Sequence, residues 1–370
     1  MPKDFLRADK SNIISVKVKY KIDSENTIPI KQRFLFPEIG KGIIRDVYVK
    51  ILPKVNISRI DCINKLNSNA TSGKINFNIK IENYLPKPKF GQSNDVIINV
   101  NIFSPNQQLL KFDFTQSLGT KEITDANFEV QVSNIIPWSP ENPNSYSCEI
   151  NLIKDGVLVD KQLKQISFYK FEKNNSLTLN GNSFSFKGTT YLLNETKNEY
   201  EDIYDIIKKD LLLIKQTGFN SVRFSKSFPH PFAIKLCNEI GLFALIETPL
   251  NSIPENFFEN NEFKLKVISL EKDFISTYLN FSNTFLFGIG SSFLPNSDIT
   301  EKFISQVTKE INYYNILNYA SFVGLQKNTI SNLDFYGVEI FSSPIESIKN
   351  SFTEINPSIK NTLFVSELTY

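Results

Sequence analysis

The sequence predicts a multidomain β plus α/β protein. An immunoglobulin-like β-sandwich is followed by an incomplete (β/α)8 TIM-type barrel and preceded by the tail of a further β-domain. Three observations carry this prediction. Between residues 51 and 172, runs such as KINFNIKIENY, DVIINVNIFS and NFEVQVSN alternate apolar and polar residues between turn residues, as half-buried antiparallel strands do. From residue 177, apolar β-rich runs alternate with helical periods, which is the grammar of a parallel barrel. Residues 1–50 hold a few strand-like runs and look like the tail of a β-domain. The predicted domains are 1–50, 51–172 and 173–370.

The chain has 370 residues, ample for more than one buried core. It is 41% hydrophobic and 22% charged, with a net charge of +2 and both signs mixed along its length. Such a balance gives no electrostatic footprint for nucleic acid. The start, MPKDFLRADK, lacks the apolar core of a signal peptide, and no run approaches the length of a membrane span. As written the chain is expected to be cytoplasmic, or extracytoplasmic if a leader has been removed. Cys62, Cys148 and Cys237 show no metal-ligand spacing, so neither a metal nor another cofactor is expected. Cys237 is read as a buried inert thiol, and a Cys62–Cys148 disulfide stays open.

In the N-terminal stretch ISVKVKYKI alternates like a strand, and Gly42–Val49 reads as another. The sandwich follows with YSCEINLIKDGVLVDKQL as its last hairpin. Trp138, the only tryptophan, stands in the turn WSPENP and is read as a structural plug rather than a sugar-stacking platform. In the barrel, Phe184–Leu193, Ser221–Ser225 and Phe243–Pro249 are predicted strands. Ile203, Ile207, Leu211 and Ile214 recur at helical spacing with Gly218 as a stop. Pro231 opens a helix that buries Ala233, Leu236, Cys237 and Ile240 and ends at Gly241. Further helices are predicted near 262–280 and 299–316, the latter boxed by Asp298 and Glu301. Strands are expected at Thr284–Gly290, Tyr319–Gly324, Phe335–Phe341 and Thr362–Leu368, with a short helix at Ile345–Phe352. That makes about seven strands where a closed barrel has eight, leaving an edge for self-association or for a partner chain to cover. His230, the only histidine, is read as a plain loop residue.

Several runs are also specific as words. Leu179-Asn180-Gly181, Phe186-Lys187-Gly188, Lys215–Arg223 (KQTGFNSVR) and Leu236–Leu242 (LCNEIGL) resemble the start of the catalytic barrel in glycoside hydrolase family 2, the β-galactosidase and β-glucuronidase relatives. WSPENP resembles that family's sandwich domain. Gly42–Val49 resembles the point where its sugar-binding jelly roll hands over to the next domain; a jelly roll needs about eight strands and only three or four fit, so the resemblance implies that residues 1–50 are a truncated jelly-roll remnant.

The resemblance implies a retaining glycosidase pocket, with two carboxyl groups at the C-terminal ends of barrel strands. The family's acid/base is a Glu preceded by an Asn, after a Gly. Aligned on Gly290, those positions are Ser292 and Ser291 here. A serine hydroxyl is not acidic enough to protonate a glycosidic oxygen, and loss of such a group typically costs 10²–10⁴-fold in rate. Glu367, in FVSE, takes the nucleophile position, although a surface role reads equally well. Arg223 persists as a pocket residue, the family's nearby His is Lys226, and a structural salt bridge from Arg223 to Glu247 is a second reading of that pair. On strand three the usual Asp-Glu is Ile246-Glu247, and on strand six an expected Asn is Glu339. The resemblance therefore implies a carbohydrate-related protein with a degenerate site, serving for binding or assembly. The alternative is an active β-glycosidase using Glu367 and a relocated acid such as Glu339.

Overall fold

The computed structural model describes residues 10–17, 47–192, 202–341 and 363–369, apart from 69, 88, 90–92, 121, 174–175, 226–227 and 327–328. Most of the predicted jelly-roll remnant and the predicted helix Ile345–Phe352 lie outside the described residues. Residues 10–17 and 47–50 carry no regular secondary structure.

Seven strands build the sandwich: β1 Val55–Leu66, β2 Ser72–Asn83, β3 Asp95–Phe103, β4 Leu109–Ser117, β5 Ile123–Ser133, β6 Tyr146–Lys154 and β7 Val157–Ile166. They form two antiparallel sheets in the orders β1-β2-β5 and β4-β3-β6-β7. Strand β2 shows why: Ile75, Phe77, Ile79 and Ile81 are buried on one face, while the intervening Lys74, Asn76, Asn78 and Lys80 point away. The β6–β7 hairpin turns on Asp155 and Gly156, both at positive φ (51° and 78°), which is the backbone a tight two-residue hairpin requires.

A small sheet of β8 Phe171–Lys173, β9 Leu177–Leu179 and β10 Asn182–Ser183 leads into the barrel. Its seven parallel strands follow in chain order: β11 Gly188–Tyr191, β12 Ser221–Phe224, β13 Phe243–Glu247, β14 Phe285–Gly288, β15 Asn318–Val323, β16 Phe335–Phe341 and β17 Leu363–Thr369. Between them run α1 Ile203–Gln216, α2 Pro231–Ile240, α3 Asn256–Glu259, α4 Asn261–Leu279 and α5 Asp298–Ile311. The strands β12, β13 and β14 are buried along their whole length, as parallel strands clad by helices must be.

Trp138 joins the two domains. It is fully buried, its Nε1 donates to the Asn238 carbonyl at 3.0 Å, and its ring meets Phe243 edge-on at 4.5 Å. No face is left for a sugar, so the plug reading holds. Asn283 completes the joint: its Oδ1 accepts from the Ser167 backbone N–H, and its Nδ2 donates to the Ser167 carbonyl and to Asn64 Oδ1, all within 2.9 Å.

Three expectations need correction or closure. The cap of α5 is Ser297, whose hydroxyl accepts from the Thr300 backbone N–H, and Glu301 instead accepts from Gln326 Nε2. His230 is a helix N-cap rather than a plain loop residue: its Nδ1 accepts from the Phe232 N–H and so satisfies an orphan donor of α2. All three cysteines are free, with Cys148 and Cys237 buried, so the disulfide does not form here. Among the described residues no helix is long and apolar enough to cross a membrane.

Glu271 on α4 is fully buried with Oε1 accepting from Thr248 Oγ1 at 2.9 Å and Oε2 without a partner. Burial pushes its carboxyl pKa well above the ordinary value, with the Thr248 bond pulling weakly the other way. The folded state therefore keeps a proton that the unfolded chain sheds from about pH 4.3 upward, and stability falls as pH rises past that point. Glu271→Gln removes this penalty. In chemical denaturation, the variant's advantage over wild type should grow from pH 4.5 to pH 8, and an unchanged difference across that range would contradict the assignment.

Candidate active site

The barrel twist brings the ends of four strands to one guanidinium. Arg223 lies on β12 and projects into the barrel, where its side chain is 4% exposed. Its Nε and Nη2 donate to the two oxygens of Glu247, the last residue of β13, at 2.7 and 3.1 Å. This bidentate grip is the strongest geometry an arginine offers a carboxylate. Nη1 donates to Glu367 Oε2 on β17 at 2.8 Å and to the Ser366 carbonyl at 3.2 Å. Nη2 also reaches Glu339 Oε1 on β16 at 3.4 Å. The ion pair predicted between Arg223 and Glu247 is thus present, and Glu339 and Glu367 share the same cation.

Packing fixes this arrangement. Gly288 sits opposite Glu247 in the neighbouring strand. A Cβ at that position would lie 2.6 Å from Glu247 Cγ and 2.7 Å from the Tyr319 ring, so the carboxylate reaches Arg223 only because residue 288 has no side chain. Glu339 and Glu367 are register partners on adjacent strands, brought into line by a bulge after Val338. Without that irregularity one of the two would face outward.

The loop after β14 approaches from the other side. Ser292 donates its backbone N–H to Glu339 Oε1 at 3.1 Å and its hydroxyl to Glu339 Oε2 at 2.7 Å. Its backbone is left-handed (φ 55°), an uncommon conformation for a serine, held by this double contact and by the neighbouring Ser291. Ser291 is buried, donates its N–H to the Leu250 carbonyl at 2.9 Å and accepts from Asn251 Nδ2 at 3.0 Å, while the same amide reaches Ser292 Oγ at 3.1 Å.

All six residues singled out from sequence, Arg223, Glu247, Ser291, Ser292, Glu339 and Glu367, therefore meet at the C-terminal end of the strands. Lys226 lies outside the described residues. Asn251 was missed, because a loop asparagine between two apolar segments carries no periodic signal.

Exposure separates the carboxylates. The Glu247 and Glu339 side chains are fully buried, whereas Glu367 is 17% exposed. Burial raises the Glu339 pKa above the ordinary carboxyl range; the Ser292 hydroxyl and Arg223 oppose that, and the like charges of Glu247 and Glu367 add to it. Burial would lower the Arg223 pKa, but its carboxylate partners outweigh it and hold the guanidinium firmly charged. A cavity of about 500 Å³ opens beside the cluster between β11 and β17, lined by Thr189, Thr190, Arg223, Leu245, Ser366 and Glu367. Glu339 and Ser292 do not line it. Among the described residues no group of His, Cys, Asp and Glu is arranged to hold a metal ion.

Glycosyl hydrolases family 2 matches residues 55–168, and the TIM barrel domain of glycosyl hydrolases family 2 matches residues 171–284, together more than half of the chain. The chain belongs to glycosyl hydrolases family 2. A beta-galactosidase of Priestia megaterium is 26% identical over 215 residues, covering 57% of this chain and 20% of that protein. A putative beta-glucuronidase of Formosa agariphila is 23% identical over 327 residues, covering 83% of this chain and 36% of that protein. Among solved structures, a Bacteroides uniformis beta-glucuronidase superposes with a TM-score of 0.71 at 15% identity, covering 82% of this chain and 40% of its own. A putative beta-galactosidase from Bacteroides fragilis gives 0.70 at 17%, covering 84% and 48%. These structural likenesses show the family 2 fold alone. The chain spans a fifth to just over a third of the length of the two curated relatives. The matched barrel span ends at residue 284, before Ser291, Ser292, Glu339 and Glu367.

The Ser292 hydroxyl lowers the Glu339 pKa against its burial. In Ser292→Ala the Glu339 titration midpoint should therefore move up, followed by carboxyl carbon NMR on glutamate-labelled protein. A midpoint that stays in place would mean the hydroxyl points elsewhere in solution.

Proposed function

We propose that this family 2 chain does not carry out acid-assisted glycoside hydrolysis and that its barrel serves carbohydrate binding or assembly. One observation carries the reading: Ser292, aligned with the family's acid/base, spends its hydroxyl on Glu339, whose own carboxyl has no exposed surface. General-acid catalysis needs a proton donor within hydrogen-bond reach of the leaving oxygen. A serine hydroxyl lacks the acidity, and a buried carboxyl already engaged by Ser292 and Arg223 lacks the reach.

The second reading, a retaining β-glycosidase with Glu367 as nucleophile and Glu339 as acid, has one observation in its favour. Burial and two neighbouring carboxylates favour the protonated form of Glu339, as an acid requires. Against it stands the fixed position of that carboxyl outside the cavity. Glu367, which lines the cavity, keeps the exposure a nucleophile would need.

The relatives named above suggest β-galactosides and β-glucuronides as candidate ligands. The cluster holds three carboxylates against one guanidinium, so a neutral β-galactoside suits it better than an anionic glucuronide.

Release of aglycone from ordinary aryl β-galactosides and β-glucuronides is expected to stay at background in wild type and in Glu339→Gln alike. Dinitrophenyl glycosides, which depart without acid help, assayed with azide and beside Glu367→Gln, report separately on the nucleophile position. Turnover of ordinary glycosides that disappears in Glu339→Gln would establish the relocated acid and overturn the proposal.

A further inference from the structure

A cavity of about 390 Å³ opens where the sandwich meets the barrel, and no residue of the Arg223 cluster lines it. Its size falls in the range of small-ligand pockets, roughly 300–1,000 Å³. The floor is the outer face of the β1-β2-β5 sheet. Register sets Arg59, Lys80 and Asp125 there in one cross-strand row and Asp61, Asn78 and Asn127 in the next. The opposite wall is Lys272 on α4, Glu310 on α5, and Tyr313 and Tyr314 in the 3-10 turn that follows α5. The lining contains no aliphatic side chain, so the ligand it fits is polar.

The charges in this cavity are already matched. Arg59 pairs with Asp61 at 2.9 Å, Lys80 with Asp125 at 3.3 Å and Lys272 with Glu310 at 2.6 Å, three cations against three anions. An anionic ligand meets no unmatched cation in the lining, and a cationic ligand no unmatched anion. The open groups are neutral. Asn78 Nδ2 reaches the Tyr313 hydroxyl only at 3.5 Å, and Asn78 Oδ1 is buried with no hydrogen-bond partner. Asn127 is exposed beside it on the neighbouring strand. Tyr313 is 55% exposed, whereas Tyr314 is buried and pinned, its hydroxyl accepting from Arg59 Nη2 at 3.0 Å.

These groups match the chemistry of a sugar. An amide both donates and accepts, as vicinal hydroxyls do, and an exposed phenol ring suits the apolar C–H face of a pyranose. A peptide added as a strand would need an unpaired backbone edge, and the floor here is a sheet face that presents side chains.

We propose that this cleft is a carbohydrate site separate from the barrel mouth, taking a neutral sugar residue that stacks on Tyr313 and hydrogen-bonds through its hydroxyls to Asn78 and Asn127. One wall is sandwich and the other is barrel, so the bound sugar bridges the two domains. The inference stands on its own residues and does not depend on what Glu339 and Glu367 do.

Titration calorimetry and saturation-transfer NMR on the full chain test it, with the methyl β-glycosides of glucose, galactose and mannose as neutral probes and methyl β-glucuronide as the anionic one. At least one neutral probe should bind with a millimolar or lower dissociation constant, and the glucuronide at least about tenfold more weakly. Tyr313→Ala and Asn78→Ala should each weaken the neutral probe at least about tenfold. Tyr313→Phe, which keeps the ring, should retain most of the affinity, and Glu367→Gln should leave it unchanged. Tyr313 is exposed, so the unfolding midpoint of Tyr313→Ala should stay at the wild-type value and separate lost binding from lost fold. Silence of every neutral probe would overturn the proposal, as would a glucuronide that binds as tightly as the neutral glycosides. Binding indifferent to Tyr313→Ala would overturn it too, and if that binding disappears in Glu367→Gln it belongs to the barrel mouth instead.

Discussion

Everything at the barrel mouth depends on Arg223. A single guanidinium, 4% exposed, ties β12 to β13, β16 and β17 through Glu247, Glu339 and Glu367. Burying charges costs several kcal/mol each unless geometry and hydrogen bonds return it. Here the bidentate grip on Glu247 does most of that, and Glu339 has Ser292 on its other side. A planar fork with five donors can serve three carboxylates and a carbonyl at once, which an ammonium cannot. The same contacts that hold the strand ends together occupy both oxygens of Glu247 and of Glu339.

The sandwich bears on the site only indirectly, by fixing the barrel's opposite end. Trp138 and Asn283 hold the two domains through buried hydrogen bonds, and the aromatic layer of Phe243, Phe335 and Phe364 fills the barrel floor. That packed floor leaves the strand ends few ways to shift, so the carboxylate cluster inherits its spacing from the core beneath it.

Much of this was legible in the sequence because its causes are periodic or local. The alternation in β2, the helical spacing of Ile207 and Leu211, and Pro231 before an apolar face each fix an element from neighbouring residues. The six site residues came from a resemblance in short words, and the structure gathers them because register in a parallel barrel follows strand order. What escaped has non-local causes. The contact of Ser292 with Glu339 spans 47 residues and depends on the bulge after Val338. Asn251 matters only through the loop it meets. His230 as a cap, and Ser297 in place of an Asp298–Glu301 box, turn on the phase of a helix start that sequence leaves ambiguous by a residue or two.

The central claim, that the three carboxylates are ligands of a structural cation, is tested most directly by comparing urea unfolding of two variants. Arg223→Met strands its buried partners and should cost about 3–5 kcal/mol. Adding Glu247→Gln, Glu339→Gln and Glu367→Gln in the same chain removes the stranded charges and should recover most of that loss. A mild cost for Arg223→Met, or a quadruple variant no more stable than the single one, would show that the barrel mouth is held by something other than this cluster.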